Sequence, residues 1–149
     1  MRIFVSFALL LASMLVGPRL GVLAQGRAPA YQIIIHPHNQ ATSVERAFLT
    51  EAFLKKVASW PSGETLHPVD LIPSSPVRRS FSEEVLHRSV ADVKGYWQQR
   101  IFSGRDVPPP EFDTDEDVIK YVLKYEGAVG YVSGNVHFDA DGPRVVAVR

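Results

Sequence analysis

The stretch Val69-Asp70-Leu71-Ile72-Pro73-Ser74-Ser75-Pro76-Val77-Arg78-Arg79-Ser80-Phe81 decides the fold. Val69 to Ile72 reads as a short strand. Ser75 is a cap residue and Pro76 takes the first helical position, where its missing N–H does no harm. A short helix through Phe81, Val85 and Leu86 follows. Strand, tight turn and helix in that order make one unit of an α/β architecture.

The flanking segments continue the alternation. Tyr31-Gln32-Ile33-Ile34-Ile35 is β-branched and apolar, a buried strand that Pro37 stops. Thr42-Ser43-Val44-Glu45 has the spacing of a capping box, with Thr42 as N-cap. Val44, Phe48, Leu49, Ala52 and Phe53 recur at helical spacing, so a helix is expected to run to about Ala58. Trp60 to Gly63 is a turn, with Trp60 covering the core from a loop. Downstream, Ser89 and Asp92 form a second cap pair. Val90, Val93, Trp97 and Ile101 are the apolar stripe of their helix. Ser103 to Phe112, with Pro108 to Pro110, reads as an extended surface loop. Asp113-Thr114 caps a last helix through Val118, Ile119, Val122 and Leu123, and Asp115, Glu116 and Asp117 match its dipole rather than a cation. Gly127 to Val132 and Val145 to Val148 are strands, with a turn at Asp139 to Gly142 before the second. Tyr131 alternates with apolar neighbours and is expected to face solvent or a site mouth. The predicted fold is a mixed, mostly parallel sheet flanked by helices.

The first residues have a different character. Met1-Arg2 precedes an apolar run from Ile3 to Val16, and Gly17-Pro18 ends it. Val22-Leu23-Ala24 then offers small side chains at a cleavage site, the order of a secretory signal peptide. The run is shorter than the roughly 20 residues a spanning helix needs. Residues 1–24 are therefore expected to be removed, leaving residues 25–149 as one exported domain with a short tail at Gln25 to Ala30.

Composition excludes several function classes. There are no cysteines, which removes thiol catalysis, thiolate zinc and iron–sulfur chemistry. Net charge is zero and no basic block exists, so nucleic acid is not an expected partner. Hydrolase elbows, zinc-protease helices and phosphate loops are absent, so no catalytic residue and no enzymatic activity are assigned. His36-Pro37-His38 places two imidazoles two residues apart, but no third ligand has matching spacing, so no metal or cofactor is assigned. His67, His87 and His137 read as surface or edge histidines.

Five stretches together resemble a known family. Ile33 to Asn39 resembles a strand ending in Asn-Pro-x-Asn. Phe53-Leu54-Lys55-Lys56-Val57-Ala58-Ser59-Trp60 resembles Phe-Leu-Gly-Lys-Ile-x-x-Trp. Pro68 through Phe81 resembles a strand, anion loop and helix. Ser89 to Gly104 resembles a Trp-containing helix with a Phe-x-Gly exit, and Gly127 to Val132 resembles Gly-Ala-Ile-Gly-Tyr-Val. In this order, residues 31 to 132 resemble one lobe of the phosphate-type periplasmic substrate-binding proteins of ABC transporters, most closely their short, single-lobe relatives.

The resemblance implies a periplasmic-binding-protein-like lobe, periplasmic location and capture of a small oxyanion such as phosphate. Such an anion would be held by hydroxyls, an arginine and helix N-terminal amides. Helix starts supply unpaired N–H donors and partial positive charge. The matching positions are Ser74, Ser75 and Arg78. Thr42 and Ser43 are a second helix start that could face the same mouth. Arg79 is weaker, because adjacent helical positions point about 100° apart. Two departures stand out: the family's Gly-Thr after the loop serine is Pro76-Val77, and its arginine five residues before that serine falls on Asp70. A single lobe also cannot close around a ligand. The resemblance equally accommodates a scaffold that docks on a membrane transporter or envelope protein, and the sequence leaves both readings open.

Overall fold

The computed structural model describes residues 28–149; the expected signal peptide and its cleavage point lie outside them. Three consecutive isoleucines set the centre of the fold. β1 (Tyr31–Ile35) buries Ile33, Ile34 and Ile35 on both faces of the sheet. Such a strand must lie between two others. Its partners are β6 (Ala128–Ser133) and β7 (Arg144–Val148), both antiparallel, with Tyr31 opposite Ser133 and Ile35 opposite Val129 and Arg144. β2 (Ser43–Val44) pairs parallel with β7, and β3 (His67–Pro68) pairs parallel with β6. The five-stranded order is β2-β7-β1-β6-β3. β4 (Asp70–Leu71) and β5 (Glu111–Phe112) form a separate parallel pair. The sheet is mixed as expected but not mostly parallel: its two parallel pairings are only two residues long each, while the longer ladders flanking β1 are antiparallel.

Four helices cover this framework: α1 (Arg46–Phe53), α2 (Pro76–Glu84), α3 (Val90–Phe102) and α4 (Asp115–Lys124). α4 packs tightly on β6. A Cβ added at Gly130 would stand 2.7 Å from Val69 and 2.9 Å from Val118, so glycine is what allows this approach. Ser89 and Asp92 make the expected capping box, and Thr114 caps α4. The aromatic core joins three elements: Phe81 of α2 stacks on Tyr131 of β6 with centroids 3.9 Å apart, and Phe53 of α1 leans on Phe81 at 4.7 Å.

Several expectations are corrected. Thr42 to Glu45 forms no capping box. Glu45 is the N-cap of α1 and makes no side-chain cap bond, because Ser43 and Val44 are drawn into the sheet edge. The α1 N-terminus is satisfied from β7's side: Arg46 N–H donates to the Arg149 carbonyl at 2.8 Å, and Arg149 N–H to Val44 at 3.0 Å. A non-local ladder has replaced a local cap.

At its other end α1 stops at Phe53, short of Ala58. Lys55 N–H donates to Ala52 and Lys56 N–H to Glu51, a Schellman closure with Lys55 in the left-handed region at φ 50°. The loop from Ser103 also ends in structure: Asp70 N–H donates to Pro110 and Ile72 N–H to Phe112, so Glu111 and Phe112 become β5. Tyr131, expected at the surface, is fully buried because β6 is covered on both sides. Ile101, expected in the apolar stripe of α3, is exposed, whereas Val93 and Trp97 are buried. Trp60 is buried and its indole N–H donates to Gly127 at 2.9 Å.

Candidate functional site

The site region grows out of the turn between β4 and α2. Ser75 N–H closes that turn on the Ile72 carbonyl at 3.0 Å. Its backbone is extended and its Oγ accepts from Arg78 N–H at 3.4 Å, a cap with Pro76 inside it, as the sequence predicts. The Ser75 hydroxyl proton is therefore free to donate outward. Ser74 beside it is exposed. First-turn amides of a helix have no intrahelical acceptor, and the dipole there favours an anion. So Ser74 and Ser75 stand where a small oxyanion could approach.

Arg78 does not join them. It lies one turn into α2, and its side chain folds back onto β4, only 3% exposed. Nη1 donates to the Leu71 carbonyl at 2.9 Å and pairs with the Asp70 carboxylate, with Glu111 a further 3.7 Å contact. Arg78 Nε has no partner. Asp70 is equally buried; it accepts from Leu71 N–H at 3.0 Å and from the Tyr131 hydroxyl. Burial pushes the Asp70 carboxyl up to about 6, against the attraction of Arg78 and the Tyr131 hydrogen bond. Burial, the largest single influence, would lower Arg78, but the charges of Asp70, Tyr131 and Glu111 and the Tyr131 hydrogen bond together outweigh it and hold the guanidinium protonated. Burial and the neighbouring Asp70 charge both raise the Tyr131 phenol well above its ordinary value.

Asp70, the acid at the position where the resembled family has arginine, thus neutralises Arg78, the cation that the sequence assigns to the loop. Arg79 is exposed and points elsewhere, as its helical phase requires.

Thr42 and Ser43 do not join the Ser75 turn: β2 lies on the sheet edge beside β7, with Ser43 opposite Ala147. Arg46 and Thr50 of α1 donate to the carbonyls of Glu84 and Val85, where α2 finishes. α2 has nine residues and spans about 13 Å. The Thr42–Ser43 segment therefore approaches the C-terminal end of α2 and not its Ser75 end. At the Ser75 end, Pro76, Val77 and Ser80 share a shallow depression with Ser133 to Asn135. Ser43 instead lines a cavity with Phe48 and Trp60.

Sequence reasoning missed Tyr131 and Glu111 as partners of the Asp70–Arg78 pair. The available signal was Asp70 itself: a carboxylate inside an apolar strand requires a cation and donors at hand. Among the described residues no group of three or more His, Asp or Glu side chains could hold a metal ion, and no helix is long and apolar enough to cross a membrane.

No protein-family model and no curated protein matches the chain. Solved structures do match. A phosphate ABC transporter substrate-binding protein from Clostridium perfringens, solved with bound phosphate, superposes with a TM-score of 0.62 at 19% identity, over 80% of this chain and 44% of that one. An ABC-type phosphate transport receptor from Vibrio cholerae gives 0.60 at 18% identity, over 80% and 46%. A possible phosphate binding protein from Planctomyces limnophilus gives 0.56 at 19%, over 80% and 41%. The chain spans less than half the length of each. At these identities the shared property is the fold: this chain is similar to part of a phosphate-type substrate-binding protein.

Proposed function

We propose that residues 25–149 act outside the cytoplasm, after removal of residues 1–24, as a single substrate-binding-type lobe that recognises a small oxyanion weakly. Ser74, Ser75 and the first-turn amides of α2 are its donors, and Arg78, paired with Asp70, takes no part in contact. The observation that carries this reading is the cap at Ser75, which leaves a hydroxyl and a helix N-terminus at the surface of a fold shared with phosphate-binding proteins. The closed Asp70–Arg78 pair and the open, water-exposed mouth account for the weakness. Charged hydrogen bonds lose most of their worth in a high dielectric.

Titration with phosphate, with chloride at matched ionic strength as control, tests it. Saturable movement of the backbone NMR resonances of residues 74 to 80, lost in Ser74→Ala with Ser75→Ala, is expected, together with a dissociation constant in the millimolar range. Thermal unfolding follows by linkage, with stabilisation of RT ln(1 + [L]/Kd). Unmoved resonances under phosphate and sulfate would sink the proposal.

A second reading, an interaction module docking on an envelope or transporter protein, draws on the end of α3. Phe102 is 96% exposed there, between Ile101 and Val107, which are also exposed. Exposed apolar patches mark contact surfaces. Its mark is a stable co-purifying protein that survives the serine substitutions and is lost in Phe102→Ser.

A further inference from the structure

A cavity of about 730 Å³ opens at the end of the sheet where β1 runs out toward His38, remote from Ser75. Its size suits a small organic molecule. The floor is the Phe48 ring tilted against Trp60, centroids 5.3 Å apart, with Pro61 beside them. Two carboxylates, Glu45 and Glu64, line the same space, and neither forms an ion pair among the described residues. No lysine or arginine lines it. The one basic ring on its edge, His38, is directed at Glu126 at 3.2 Å.

Asn39 stands in the wall, only 6% exposed. Its Oδ1 accepts from Ala41 N–H at 3.0 Å, which fixes the amide orientation, and its Nδ2 finds no acceptor. A buried donor without an acceptor costs about 1–3 kcal/mol. The wall therefore carries one unmet donor, a demand that an ammonium cannot meet and that is separate from the charge selectivity of the cavity.

Aromatic faces attract cations, and uncompensated carboxylates add to that field while repelling anions. We infer that this cavity binds a small organic cation, an ammonium group on an apolar body. The body lies on Phe48 and Trp60, and the ammonium sits between the rings and the carboxylates of Glu45 and Glu64. This site is independent of the oxyanion reading: it takes the opposite charge in a cavity that shares no lining residue with the depression beside Ser75.

The test uses phenethylammonium as probe, with phenylacetate and phenylethanol as ligands of like shape and altered charge. Trp60 lines the cavity and its indole resonance is the NMR reporter; that of Trp97, which borders a different cavity, is the control. Phenethylammonium is expected to move the Trp60 signal saturably and leave Trp97 in place. Phenylacetate should bind at least about tenfold more weakly, and the Glu45→Gln, Glu64→Gln double variant should weaken the ammonium about tenfold while leaving phenylethanol unchanged. Equal binding of ammonium and carboxylate ligands would overturn the inference. So would unchanged ammonium affinity in the double variant, or no saturable shift from phenethylammonium at millimolar concentration.

Discussion

Asp70 shares its carboxylate among Leu71 N–H, the Tyr131 hydroxyl and the Arg78 guanidinium, all inside the core. Removing one member of such a set leaves the others buried and unmatched. Arg78→Met is expected to destabilise the protein by about 3–5 kcal/mol at neutral pH, because the buried Asp70 carboxylate then keeps only the Leu71 N–H and the Tyr131 hydroxyl. Asp70→Asn added to Arg78→Met should recover much of that loss, since a neutral pair needs no desolvation of charge. Urea unfolding of the parent and the two variants checks both statements; a double variant no more stable than Arg78→Met would refute the second. The sequence exposed half of this arrangement. The cap at Ser75 was legible residue by residue, whereas the sequence leaves the orientation of Asp70 open. The inward turn of Arg78 was not legible, because a cation on a helix start reads the same whether it faces solvent or strand. Only the tertiary position of β4 decides.

Elements were legible where the signal is local. The starts of α2, α3 and α4 follow their cap residues, Ser75, Ser89 and Thr114. Errors fell where a distant strand intervened: β7 took Ser43 and Val44 from α1, and β4 turned the end of a proline-rich loop into β5. The end of α1 supplies a prediction of its own. Lys55 adopts the left-handed conformation, at the position where the resembled motif has glycine. That conformation costs a non-glycine residue about 1–2 kcal/mol. Lys55→Gly should therefore raise stability by about 1 kcal/mol, reduced by whatever the Lys55–Asp106 ion pair at 3.5 Å contributes. The urea midpoint measures it, with Asp106→Asn isolating the ion pair. A lower midpoint in Lys55→Gly than in Asp106→Asn would show that the backbone is not strained there.

For the whole molecule, the buried acid couples stability to pH. The folded protein holds the Asp70 proton up to about pH 6, whereas the unfolded chain releases it near 3.8. Between those values the folded state binds more protons, so this group's contribution falls as pH rises from about 4 to about 6 and is level above that. A shift of about two units corresponds to about 3 kcal/mol. Since exposed carboxylates act in the same range, the expected signature is a difference: the stability of the parent relative to Asp70→Asn falls as pH rises through this window. A gap independent of pH would mean that Asp70 is ionised throughout. The lobe's open mouth belongs to this scale too, as no sequence pattern reports what closes over a surface.

β1 is the first strand of the described chain, and both of its partners, β6 and β7, arrive roughly a hundred residues later in synthesis. β7 also supplies the bond that starts α1. A ribosome must therefore deliver the chain through β6 before its central strand can pair at all, and through β7 before it is paired on both sides. Until then, the nascent chain has no completed sheet to resist threading through a narrow pore. Late closure of this kind is what the export proposed above would require.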